Sequence, residues 1–171
     1  MTVVLETQRL LLRNFTIEDA TLIWQLNLDP EVIRFTGDPI RSVEHAKDVL
    51  EKTILPQYAL YNHGRWAVHL KSDLSFIGWC GLKFRAELQE VDLGYRFIKE
   101  AWGKGYATEA AWACIQYGFE KLNLQRIVGR AVPENIASLK VLEKCRMNYI
   151  GDEIVDGHAA RTYQIINPLI Q

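Results

Sequence analysis

The chain has 171 residues, with 20 lysines and arginines against 21 aspartates and glutamates, 49% hydrophobic residues and a net charge of −1. That length predicts one domain over residues 1–171, and the composition excludes a disordered or collagenous polymer. The balanced charge excludes the basic excess that would draw a whole domain to nucleic acid or to an anionic membrane.

The apolar pattern predicts an opening strand over about residues 3–13, then a helix start at Thr16-Ile17-Glu18-Asp19, where an N-cap is followed three residues later by an acid. This helix is expected to run to about Leu28. Ser42 opens a second helix, in which Ala46, Val49, Leu50 and Ile54 form a buried stripe and Pro56 ends or kinks the run. The period then changes to two. Trp66 to Leu70, Phe76 to Phe84 and Val91 to Phe97 read as three antiparallel strands with short connections. Helical spacing returns from Ala107 to Leu122, Arg126 to Ala131 reads as a strand, and a further helix is expected from Pro133 to Cys145. Strands at Tyr149–Val155 and Arg161–Ile166 are joined by Asp156-Gly157, a strong hairpin dipeptide. The order predicts a mixed α/β (α+β) fold, a mostly antiparallel central sheet flanked by helices.

The cysteines, Cys80, Cys114 and Cys145, are too far apart in sequence for a metal knuckle and odd in number, which predicts a reducing compartment. Glu6, Arg9 and Arg13 interrupt the first apolar stretch and no run approaches the ~18 apolar residues of a membrane span, so a cytoplasmic protein without a membrane contact is expected. Histidines 45, 63, 69 and 158 are dispersed, which predicts structural roles and no metal site. Trp24, Trp66, Trp79 and Trp112 fall on separate elements and read as core or pocket wall.

The most informative stretch is Glu90 to Ala111, where a strand passes through Gly103-Lys104-Gly105 directly into a helix. The first amides of a helix have no internal partner and carry the positive end of its dipole, so this junction can bind a phosphate. Lys104 strengthens the reading, because a cation there is disfavoured by the dipole unless an anion is present. The alternative is a tight turn with a solvated lysine. The P-loop pattern is absent, and Thr108 stands where the dinucleotide fingerprint has its third glycine.

Three segments in order, LETQRLLLRNFTIEDA, LGYRFIKEAWGKGYATEA and NIASLKVLEK, resemble the GNAT superfamily of acetyl-CoA-dependent N-acetyltransferases. The resemblance is strongest to the branch of ribosomal-protein N-terminal alanine and serine acetyltransferases. The family's Gln/Arg-x-x-Gly-x-Gly/Ala motif falls on Trp102 to Ala107, with Trp102 in place of the polar first residue. The resemblance implies acetyl-CoA as co-substrate. Its pyrophosphate would lie on the amides of Gly103, Lys104, Gly105, Tyr106, Ala107 and Thr108, and its pantetheine arm would pair with Phe97 and Ile98 beside a strand-splaying bulge. It further implies Asn135 on the pantetheine and Ser138 near the thiol. Read from the residues alone, Asn135 is an N-cap and Ser138 a surface helix hydroxyl before either is a cofactor ligand.

The reaction implied is attack of a neutral primary amine on the thioester, with the oxyanion bonded by a backbone N–H near Phe97–Ile98. Near pH 7 a lysine costs about 3 kcal/mol more to deprotonate than an α-amine, so a weak base suffices for an N-terminus. Asp92 is the candidate base, on the strand face shared with Gly94 and Arg96; its alternative is a solvated carboxylate or an ion pair with Arg96. Glu90 is a weaker substitute. Leu142 stands where many relatives have a tyrosine acid, and Arg146 where they have a helix-ending glycine. The expected acceptor is a protein or peptide N-terminus, contacted by Phe35–Arg65 and the Asp156–Arg161 hairpin. Small amines (polyamine, amino acid, antibiotic), a non-catalytic acyl-CoA-binding module and a nucleotide-binding domain are the alternatives, and a monomer or homodimer is expected.

Overall fold

The computed structural model describes residues 1–170. Eight strands form one sheet in the order β1-β2-β3-β4-β5-β6-β8-β7, with β1 Val3–Glu6, β2 Leu10–Asn14, β3 Arg65–Leu70, β4 Phe76–Arg85, β5 Glu90–Phe97, β6 Arg126–Ala131, β7 Asn148–Val155 and β8 His158–Ile166. Every neighbouring pair is antiparallel except β5 and β6. The helices are α1 Ala20–Leu26, α2 Val43–Val49, α3 Leu55–Tyr61, α4 Tyr106–Glu120 and α5 Ile136–Lys144. This is the mixed, mostly antiparallel α/β architecture expected from the sequence.

Alternation along the strands gives the sheet two faces. Trp66 and Val68 of β3 enter a core with Ala111, Cys114 and Ile115 of α4 and Leu139 and Leu142 of α5. Ala67 enters a second core with Phe15, Ile23 of α1 and Ala46 of α2. Trp66 is thus core and Trp79 lines the second cluster.

Three local expectations are corrected. The opening strand is a hairpin, because the polar run from Glu6 to Arg9 interrupts it and Thr7 N–H donates to the Leu10 carbonyl at 2.9 Å. The first helix is preceded by a 3-10 turn at Ile17–Asp19, where Thr16 N–H donates to the Asp19 carboxylate at 2.8 Å. Pro56 does not end the second helical run: a π turn over Leu50–Ile54 precedes it, and α3 continues to Tyr61 with Pro56 in its first turn, where a missing N–H costs least. The final hairpin turns at Asp156 (φ 53°) and Gly157 (φ 79°), both in the left-handed region that its turn type requires.

Candidate active site

The site begins where β5 and β6 part. Their parallel pairing covers only Asp92/Val128 and Leu93/Gly129, and beyond Leu93 the strands diverge. β5 itself pairs with β4 through eight consecutive partners, so the bulge implied beside Phe97 is absent from β5; the slip lies between β3 and β4, at Ile77. Ile98 N–H donates to the Ile77 carbonyl at 2.9 Å, which removes it as an oxyanion donor and corrects that expectation. Because pairs alternate along an antiparallel ladder, the next pair, Phe97/Gly78, is not hydrogen-bonded, and Phe97 N–H turns away from β4 towards the opening. The same parity turns the backbone of Tyr95 outwards.

Past Ile98 the chain makes a 3-10 turn at Lys99–Ala101 and enters the glycine loop. Gly103 (φ 72°) and Gly105 (φ 80°) are left-handed, and Gly105 is the N-cap of α4. The first helical bond runs from Glu109 N–H to the Gly105 carbonyl, and the amides of Gly103 through Thr108 have no acceptor among the described residues. Trp102, the departure from the family motif, uses its indole N–H: it donates to the Phe97 carbonyl at 3.0 Å and ties the loop to the end of β5.

A latch from the β1–β2 turn holds the same loop. Arg9 donates to the Lys104 carbonyl at 2.9 Å and pairs with Glu109 at 2.7 Å, while its guanidinium lies 4.5 Å from the Tyr106 ring centre. Glu109 also accepts from Thr7 Oγ1 at 2.6 Å and Arg9 N–H at 2.9 Å. Burial would raise the Glu109 carboxyl, but the bonds from Thr7 and Arg9 prevail and hold it below its ordinary value. Six unpaired amides at the positive end of a 15-residue helix, with Lys104 and Arg9 beside them, form a donor set suited to a diphosphate. Neither Arg9 nor Glu109 is marked as a site residue by local sequence, since they lie 100 residues apart.

On the other side of the opening, Asn135 caps α5 by accepting Ser138 N–H at 3.2 Å, so the capping role weighed for it is present. Ser138 Oγ lies 2.9 Å from the Tyr95 hydroxyl, which also lies 2.9 Å from the Ser138 carbonyl. Burial raises the Tyr95 phenol well above its ordinary value. Cys145, at the far end of α5, is buried with its thiol pushed up to about 12, which makes it inert as a nucleophile. Arg146 takes the left-handed conformation (φ 61°) expected where relatives have glycine, and its guanidinium lies 5.1 Å from the Trp112 ring.

Asp92 lies on the opposite face of β5, with Gly94. Its Oδ1 accepts from Arg65 at 2.6 Å and its Oδ2 lies 3.9 Å from Arg85, so the ion pair weighed for it exists but with different partners. Arg96 instead bonds Asn27 and pairs with Asp38 at 3.0 Å. Arg65 and Arg96 both lie against Trp79, at 5.2 and 5.5 Å. Glu90 is held by Arg130 and Arg126. A cavity of about 330 Å³ opens beside Ile98, between Gln25–Val32 and Lys99–Glu100, and none of its lining belongs to the segments expected to meet an acceptor.

The divergent parallel strands, the amide cradle and the capped helix opposite it agree with a match of the Acetyltransferase (GNAT) domain model to residues 9–148. The chain belongs to that family and is an acetyl-CoA-dependent acyltransferase. A relative from Bacillus licheniformis, uncharacterized N-acetyltransferase p20, is 36% identical over 141 residues, covering 81% of this chain and 78% of its own. Ribosomal-protein-S5-alanine acetyltransferase from Vibrio fischeri shares the fold at a TM-score of 0.78 and 22% identity, over 98% of both chains. Spermidine N-acetyltransferase from Vibrio cholerae, solved with CoA and spermine, does so at 0.77 and 20%, over 94% of this chain and 97% of its own.

Proposed function

We propose that the acceptor is the primary α-amine of a protein or peptide, and that residues 1–171 act as one catalytic domain on it. The observation that carries this reading is the surroundings of Asp92. Its two oxygens face Arg65 and Arg85, and Arg96 lies further along the same strand face. A carboxylate is a weak base, adequate for an α-amine that is already partly neutral near pH 7, and inadequate for a lysine.

Acetyl-CoA supplies the activated acyl group. In this reading the amides from Gly103 to Thr108 bind its pyrophosphate, and the outward backbone of Tyr95 binds the pantetheine arm together with the Asn135 amide. Phe97 N–H is the donor left for the developing oxyanion, Asp92 takes the amine proton directly or through water, and Ser138 meets the sulfur.

The test is a competition between acceptors. Peptides beginning with alanine or serine are compared with N-terminally blocked peptides carrying one lysine and with spermidine, reading thiol release and locating the acetyl group by mass spectrometry. The deprotonation difference of about 3 kcal/mol predicts a preference of about 100-fold for the α-amine. Faster turnover of spermidine or lysine would overturn the assignment.

A further inference from the structure

The sequence leaves the departing thiolate without its usual tyrosine, since Leu142 occupies that position and is buried in the core. A different tyrosine reaches the same helix. Tyr95 stands two residues beyond the last β5–β6 pair, where the strands have parted, and its side chain crosses to the first turn of α5. There its hydroxyl lies 2.9 Å from two acceptors on one residue, the Ser138 carbonyl and the Ser138 Oγ.

A phenol has one proton and cannot serve both acceptors at once. When it donates to the carbonyl, the close Oγ contact is satisfied only if Ser138 donates its own proton back to Tyr95, which turns that proton away from the cleft. When the phenol donates to Oγ, the serine proton is free for a third partner. The two arrangements differ by a rotation of two hydroxyl hydrogens and need no movement of heavier atoms. Negative charge developing beside Ser138 selects the second, and a hydrogen bond received by Oγ polarises the one it gives.

We propose that Tyr95 is a positioning residue that sets the direction of the Ser138 hydroxyl and turns it to the sulfur as the acyl group leaves. This rests on the reading that the first turn of α5 faces the thioester. In the step, the amine nitrogen forms the C–N bond, the C–S bond breaks, and the sulfur departs with the electron pair as a thiolate. Overall the proton lost by the amine ends on sulfur. Tyr95 gives up no proton: its burial keeps the phenol neutral, and its contribution is a hydrogen bond that changes acceptor. Asn135 assists by holding Ser138 N–H, which fixes the backbone on which the hydroxyl turns.

The experiment uses Tyr95→Phe, which keeps the ring, with Ser138→Ala and the double variant. CoA itself is the probe: its affinity is measured by calorimetry and the pKa of its bound thiol by ultraviolet absorbance of the thiolate against pH, with no acceptor present. Turnover on an alanine-initiated peptide is followed separately. A directed hydrogen bond of about 1 kcal/mol predicts that Tyr95→Phe raises the bound-thiol pKa by about half a unit to one unit. It should lower kcat by about five-fold, with KM for acetyl-CoA within about two-fold, and the double variant should be no slower than Ser138→Ala. If Ser138→Ala moves the thiol pKa and Tyr95→Phe does not, the role of Tyr95 is overturned while the site stands. If neither moves it while CoA binds normally, Ser138 is not at the sulfur, and the placement of the thioester falls with it.

Discussion

Replacing Gly105 by valine puts the cofactor cradle under a strain whose size can be worked out. Gly105 sits at φ 80°, ψ 6°, and a Cβ built there would lie 3.4 Å from an Arg9 nitrogen, so space is tight but not forbidding. The backbone decides the outcome: a side chain in the left-handed region costs about 1–2 kcal/mol, and a β-branched one sits at the high end. The chain can keep the geometry and lose that stability, lowering Tm by about 2–8 °C at a few degrees per kcal/mol for this size. Alternatively it can rotate the peptide planes around Gly105 and misdirect the amides of Gly105 and Tyr106. A hydrogen bond to a charged group is worth about 1.5–3 kcal/mol, so the loss of one weakens acetyl-CoA by about 10- to 150-fold. Calorimetric titration with acetyl-CoA, beside thermal unfolding, separates the two responses. Lys104→Ala is the companion variant, since it removes the charge and leaves the backbone alone. A Gly105→Val protein that unfolds at the parent temperature and binds acetyl-CoA as tightly would refute the amide cradle.

The other predictions concern side chains around that cradle. Arg9→Ala removes the bonds to the Lys104 carbonyl and to Glu109, and should raise KM for acetyl-CoA by about five- to ten-fold while kcat stays within about two-fold; steady-state kinetics at saturating acceptor give the split. Asp92→Asn should lower kcat by about ten-fold or more with acetyl-CoA affinity nearly unchanged; unchanged turnover assigns the base elsewhere. Asp19→Asn leaves the buried Arg13 guanidinium without the carboxylate that holds it at 2.7 and 2.9 Å, at a cost of about 3 kcal/mol near pH 7. Burial raises the Asp19 carboxyl, but Arg13 and the Thr16 amide prevail and hold it below 3.8. Its folded value lies under its unfolded one, so its stabilisation is present above about pH 4 and fades as pH falls further. Thermal unfolding should therefore find the gap between parent and variant narrowing below about pH 4.

What the sequence discloses is what repeats along the chain or sits within a few residues. Period two marked the central strands, period 3.6 marked α4, and Asp156-Gly157 and Gly103-Lys104-Gly105 announced turns through residues that tolerate positive φ. The run Glu6-Thr7-Gln8-Arg9 carried a signal too, four polar residues inside a presumed strand, which marks the hairpin that divides β1 from β2. Contacts between distant residues left no such mark. Arg9 meets Glu109 because β1–β2 lies beside α4, and Asp92 meets Arg65 rather than Arg96 because Gly94 leaves room between the strands. A Cβ on Gly94 would lie 2.6 Å from the Arg65 guanidinium, so the pairing depends on a missing side chain that strand alternation alone does not reveal.

The same alternation divides the chemistry of β5 between two faces. Val91, Leu93, Tyr95 and Phe97 point to α4 and α5, while Asp92, Gly94 and Arg96 point to the face that carries Trp79 and the arginines. In the proposed reaction one strand presents the leaving sulfur to a neutral hydroxyl pair and the incoming amine to a carboxylate. Two residues beyond Tyr95, the N–H of Phe97 is left without a strand partner, because β6 has diverged. The two groups need opposite conditions. A hydroxyl donor works best where burial keeps it neutral, as at Tyr95, and a carboxylate acceptor where guanidinium groups fix its position, as at Asp92. Period two supplies both environments within four residues, so the proposed reaction centre needs a break in sheet pairing rather than a dedicated loop.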